Sequence, residues 1–208
     1  MDKVKRYIPY LLLTGLTLFF CRMFVGRYGI FGAKVDWLSQ HSVLPDYFRQ
    51  QFYATGKLFP EFAANLGGGQ NIYHFAYYGL YSPLILPSYL LPFVKMSDYI
   101  MAVSITGLTA SVLLFYYWLK SRKTDAGTAF ILSLMFLLAG PMIGQYSGQI
   151  MFVDYMPFLC LALIGVDRYF EQEKCPFTVS CISDDHDQFL FQYWRNAGTG
   201  SLWTAPLF

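Results

Sequence analysis

Four long apolar runs organise the chain, and basic residues sit at their ends. The runs cover 7 to 26 ("YIPYLLLTGLTLFFCRMFVG"), 98 to 119 ("DYIMAVSITGLTASVLLFYYWL"), 128 to 144 ("TAFILSLMFLLAGPMIG") and 149 to 166 ("QIMFVDYMPFLCLALIGV"). A helix that crosses a membrane takes about 20 mostly apolar residues. The pattern therefore predicts an all-α polytopic membrane protein with about four transmembrane helices. The first run follows Lys3, Lys5 and Arg6 and so also resembles a signal peptide. Its long apolar core, with no small-x-small cleavage site after it, reads better as an anchoring span. Arg22, near its far end, can snorkel to the interface.

Charge sets the expected orientation. Lys and Arg collect on the cytoplasmic side of membrane proteins. The N-terminus, 120 to 127 (with Lys120, Arg122 and Lys123) and 167 to 175 (with Arg168 and Lys174) are then cytoplasmic. Residues 27 to 97 and the turn "QYSGQ" (145 to 149) face outside. Tyr116, Tyr117 and Trp118 read as an interfacial aromatic belt before the basic cluster.

Polar and apolar positions inside the long first loop predict interfacial helices. In "LPDYFRQQFYATGKLF" (44 to 59), Leu44, Tyr47, Phe48, Gln51, Phe52 and Leu58 fall near helical spacing. Pro45 suits a first turn and Gly56 an end. Such a helix lies on the membrane or packs on neighbouring protein; the spacing fits both. "LYSPLILPSYLLPFV" (80 to 94) is apolar, but Pro83, Pro87 and Pro92 oppose a regular helix. It reads as an interfacial or re-entrant segment, because a span there would invert every later segment. "NLGGGQN" (65 to 71) lacks the order of a phosphate-binding loop and follows no expected strand, so a tight turn is expected.

Composition sharpens the membrane reading. The 208 residues are 55% hydrophobic, 20% aromatic and only 13% charged. Soluble domains carry about 25% charged residues. A net charge of +2, with the basic residues at run ends, argues against a nucleic-acid partner. Cys21, Cys160, Cys175 and Cys181 show neither CxxC nor metal-ligand spacing. No metal site and no cofactor are expected.

Candidate chemistry collects outside the runs. Asp36 lies in "KVDWLSQH" (34 to 41), with Trp37 placed to hold the headgroup region. In "IYHFAYYGLYSP" (72 to 83), His74, Tyr77 and Tyr78 offer rings that stack on sugars or anchor at headgroups. Asp154, in "FVDYMP", sits about one turn inside the fourth run. A carboxylate there makes a polar contact between helices or faces an aqueous cavity; the side shared with Asp36 favours the cavity.

The stretches "DWLSQ", "YFRQQF" and "LFPEFAANLGGGQNIYHFAYYGLYSPLILPSYLLP" resemble the amino-terminal part of the bacterial YfhO-type membrane proteins, which in turn resemble the polytopic C-type (GT-C) glycosyltransferases. The resemblance covers residues 1 to about 175. It implies a multi-pass protein of the bacterial cell membrane. The implied reaction moves a sugar from a polyprenyl-phosphate donor to a cell-surface polymer such as lipoteichoic acid, on the extracellular face. An acid just past the first span serves as catalytic base in that superfamily, and Asp36 occupies the position. Gln40, Arg49, His74, Tyr77, Tyr78 and Asp154 are the candidate substrate-binding residues. Arg27, Lys34 or Arg49 would offset the leaving phosphate. The competing reading is a non-catalytic polytopic protein, part of a transporter or flippase or an assembly partner.

The tail departs from that pattern. Residues 1 to 182 form the expected membrane part. From 183 onward the sequence turns polar where a fifth span is expected. Permitted codons for Ser183 to Gly198, read one nucleotide later, give the apolar run LMIMTNFYFSIGGML. We therefore expect 183 to 208 to be a frameshifted end of a truncated product, a hypothesis that the gene's nucleotides test. On that view Asp184, Asp185, His186 and Asp187 do not form a metal site.

Overall fold

A computed structural model describes residues 2–28, 32, 36–58, 62–79, 82–144 and 148–172, with the backbone alone at 2–5, 24, 26–28, 143–144, 150–154 and 171–172. The expected tail boundary and the Asp-Asp-His-Asp cluster fall outside those residues. Contacts divide the chain into two compact units, Met1–Cys160 and Leu161–Phe208. One helix runs across the boundary. The described part of the second unit is the end of that helix, which carries the exposed rings of Tyr169 and Phe170. All the other described elements belong to the first unit.

Each apolar run is helical. The first lies inside α1 (Asp2–Tyr28). The second lies inside α3 (Met96–Ser121). The fourth lies almost wholly within α6 (Ile150–Gln172). The third departs from expectation. It splits into α4 (Ala126–Leu138) and the short α5 (Gly140–Gly144), with Ala139 in extended conformation between them. Pro141 is the physical reason: it has no N–H to continue the ladder, and its ring crowds the preceding turn. Thirteen residues of α4 rise about 20 Å, short of the roughly 30 Å hydrocarbon core. Among the described residues, α3 is the helix long and apolar enough to cross a membrane.

The helices pack with small and hydroxylated residues inward. Thr17, Ser104, Ser111 and Ser133 are buried, and each hydroxyl donates to the carbonyl four residues back in its own helix. That arrangement satisfies a polar group without a partner helix and lets backbones approach closely. Large apolar side chains meanwhile face out, among them Leu11, Phe19 and Met23 on α1 and Ile131 and Met135 on α4. Leu13, Ile100, Val112 and Leu137 are buried as well, so these helices are apolar on both their inner and outer faces.

α1 and α3 run antiparallel. The Tyr10 ring near the start of α1 packs edge-on against Tyr116 near the end of α3, with centroids 4.8 Å apart. Arg6 and the basic cluster at 120 to 123 therefore share one end of the bundle. A tight turn follows there: Lys123 adopts φ 62°, and the Asp125 carboxylate caps α4 by accepting from the Gly127 and Thr128 amides, both at 3.0 Å. Hydrogen bonds from Thr128 and Gly127 hold its carboxyl below the usual aspartate range.

The long loop folds over the other end of α3. α2 (Val43–Thr55) forms where the periodicity places it. Pro45 lies in its first turn, and Gly56 ends it with φ 71°. Its buried face, with Leu44, Phe48 and Arg49, packs on protein: α2 touches α3 and the turns around it. The glycine stretch is a tight turn, as expected. It closes a two-residue hairpin of β1 (Phe62–Ala63) and β2 (Gln70–Asn71), antiparallel, with Ala63 opposite Gln70. Gly67, Gly68 and Gly69 take φ of 56°, 82° and 101° in succession, a path that L side chains rarely adopt. The proline-rich segment stays out of α-helix. It forms turns and a 3-10 helix, Leu86–Leu90.

Candidate functional site

A π-helical turn, Trp37–His41, leads into α2 and carries the first candidate residues. Its i to i+5 bond runs from the Ser42 amide to the Trp37 carbonyl at 3.0 Å. The wider turn, uncommon and often found at functional sites, points both Trp37 and His41 inward; they are 2% and 1% exposed. Trp37 thus corrects the headgroup expectation, since its indole fills the protein interior. Gly32 makes room for it: a Cβ there would collide with the indole ring, and the backbone at φ 107° already favours glycine.

A 3-10 helix, Ile72–Tyr78, faces this turn. The Asn71 side chain caps it by accepting from the Tyr73 amide at 3.0 Å. Side chains three apart share a face in a 3-10 helix. Ile72, Phe75 and Tyr78 accordingly turn inward, while His74 and Tyr77 line an exposed edge.

The two turns meet through side chains. Tyr78 donates its hydroxyl to Oε1 of Gln40 in a short hydrogen bond. The His41 and Tyr78 rings lie 5.2 Å apart. Tyr77, still 54% exposed, packs against Tyr78 at 4.2 Å. Burial pushes the Tyr78 phenol up to about 12, with Tyr77 and the Asp36 charge adding to the effect, so the phenol stays a donor at neutral pH. Half-buried Asp36 is close enough for its charge to act on both Tyr78 and His41. Gln40 and Tyr78 therefore meet, with Asp36 within electrostatic reach and Tyr77 at their border.

His41 and Gln149 carry no role in the sequence pattern. The Gln149 side chain hydrogen-bonds the His41 ring, which ties the π-helical turn to the residue just before α6. Nδ1 of His41 is buried without a protein partner. Burial holds the imidazole below its ordinary 6.5, against smaller opposing effects of Gln149 and Asp36. The fold thus prefers the neutral ring, and the unfolded chain takes up the proton more readily. We expect Tm to fall as pH drops below 6.5, and to fall less steeply in His41→Gln. Parallel curves for the two proteins would refute this. The available signal for His41 is adjacency: it ends the stretch, 34 to 41, that carries Asp36 and Gln40.

Two other predicted residues stand apart. Arg49 is 4% exposed and already engaged. Its guanidinium contacts Asp46 at 2.6 Å and the carbonyls of Leu91 and Val94 at 3.3 and 2.9 Å. Asp154 falls on α6, five residues beyond Gln149, where the backbone alone is described; the Arg27 side chain and Lys34 lie outside the described residues.

Residues 8–182 match the family described as "Bacterial membrane protein YfhO". The chain belongs to that family. No curated protein and no solved structure matches it. Every candidate residue from Asp36 to Asp154 falls inside the YfhO match. As a YfhO-family membrane protein, it has the lipid bilayer as its partner, and the outward apolar faces of α1 and α4 suit that solvent.

Proposed function

We propose that this YfhO-family protein is a GT-C-type glycosyltransferase of the bacterial cell membrane, multi-pass and with a cytoplasmic N-terminus. It moves a sugar from a polyprenyl-phosphate donor to a cell-surface polymer such as lipoteichoic acid on the extracellular face. The observation that carries the reading is the meeting of Gln40 and Tyr78, within reach of the Asp36 charge, at the end of the bundle away from the Lys120–Lys123 turn. Helices α1 and α3 place two basic clusters together at the opposite end, which fits the positive-inside orientation.

The step needs few groups. The Asp36 carboxylate accepts the proton of an acceptor hydroxyl as that oxygen attacks the anomeric carbon. The bond from that carbon to the lipid phosphate oxygen breaks, and the phosphate leaves as an anion. A single displacement inverts the anomeric centre. Tyr78 occupies the Gln40 carbonyl and leaves the amide nitrogen free to donate to substrate. Tyr77 and His74 offer an exposed edge on which a sugar ring stacks. Asp154 joins this substrate-binding set, and Arg27 and Lys34 offset the phosphate charge. The Arg49 charge is already balanced by Asp46.

Polarity supports chemistry at this end over transport through the bundle. The buried hydroxyls of α1, α3 and α4 are spent on their own helices, whereas a transporter places free polar groups at the midplane. The test is complementation of a gene deletion. Sugar on the surface polymer should vanish in the deletion and return on complementation. An unchanged polymer in the deletion strain would rule out this reading.

A further inference from the structure

The segment before α3 carries two unusual side chains. Leu90 is 81% exposed and Phe93 80%, the highest values among the exposed large apolar residues described. Ser88 and Tyr89 beside them are buried. The turn therefore has an inner and an outer side, and the outer side is apolar.

This exposure belongs to a clamped segment. Nη1 of Arg49 donates to the carbonyls of Leu91 and Val94, which flank Phe93. Tyr53 donates its hydroxyl to the Tyr89 carbonyl at 2.8 Å, and the Phe52 and Tyr89 rings lie 5.3 Å apart. Pro87 and Pro92 stiffen the path further. α2 thus holds the turn from beneath and presents Leu90 and Phe93 outward.

The turn's place in the chain identifies what covers it. Exposed Lys95 follows, and α3 starts at Met96. The 26 residues of α3 rise about 39 Å, more than the roughly 30 Å hydrocarbon core. The residues just before the helix therefore sit at the boundary between headgroups and acyl chains. Apolar side chains beside a lysine suit that boundary.

We propose that Leu90 and Phe93 form a wedge that inserts into the bilayer leaflet at the amino-terminal end of α3, with Arg49 as the clamp that orients it. The wedge fixes the height of α2, and with it the Trp37–His41 turn, against the headgroups. This inference is independent of sugar transfer.

The test is site-specific photocrosslinking of the full chain in vesicles of equal parts phosphatidylcholine and phosphatidylglycerol. p-Benzoylphenylalanine replaces Leu90, Phe93 or, as a reference, exposed Lys57. Mass spectrometry then counts lipid adducts. We expect at least a several-fold excess of lipid adducts at 90 and 93 over 57. Adducts to protein at 90 and 93 would overturn the proposal, as would lipid yields no higher than at 57. Both side chains point away from the protein, so the replacements leave the fold intact; matching Tm values for the three variants check this.

Discussion

Asp36→Asn is expected to lower sugar transfer to the surface polymer by about 10²- to 10⁴-fold, the range for removing a positioned general base. Asparagine keeps the size and shape of the side chain and loses its ability to take a proton. The neighbouring geometry should persist, because the Tyr78–Gln40 and His41–Gln149 pairs do not include Asp36. Protein level and Tm should therefore match the wild type while transfer collapses. The readout is sugar per unit of surface polymer in the complemented deletion strain. Equal glycosylation by wild type and Asp36→Asn would remove Asp36 as the base. A parallel loss of protein would instead assign it a structural role.

Arg49→Leu is expected to cause the largest loss of stability. Leucine leaves the Val94 carbonyl without its donor, leaves Leu91 with the Val94 amide alone, and strips Asp46 of its cation. An orphaned buried acceptor costs about 1–3 kcal/mol, and the half-buried Val94 carbonyl falls towards the lower end. In a chain of this size each kcal/mol lowers Tm by about 2–4 °C, so a drop of several degrees is expected in detergent. Arg49→Lys should recover only part of it, since an ammonium cannot reproduce the guanidinium fork. Nε of Arg49 is itself buried without a protein partner, which tempers the net gain from the clamp. An unchanged Tm in Arg49→Leu would show that water takes over at the Val94 carbonyl. By sequence the same residue is a reasonable candidate phosphate ligand. Burial and the Asp46 contact instead make it the strut that joins α2 to the segment before α3.

Much of the fold is legible along the chain because its causes are local. Apolar runs of span length become helices in any setting where the backbone must satisfy itself. Pro45 and Gly56 bracket α2 through their own dihedral limits, and three successive glycines make the hairpin turn. Prolines keep 82 to 94 out of α-helix for the same kind of reason. The break at Ala139 is equally local, since Pro141 stands inside the third run, yet the unbroken apolar pattern there masks it.

The candidate site is legible only in part. Asp36, Gln40, Tyr77 and Tyr78 stand out in the sequence, but spacing gives no reason for them to meet. The Tyr78–Gln40 bond joins residues 38 apart, and the His41–Gln149 contact joins the first loop to the start of α6. Such pairings depend on how whole elements pack, so they leave no periodic trace. Trp37 and Arg49 make the same point from the other side. Their chemistry suits headgroups and phosphate, yet packing buries both. Periodicity tells which side chains share a face. Only the tertiary structure decides whether that face meets lipid, water or the rest of the protein, because burial is a property of the neighbours and not of the residue.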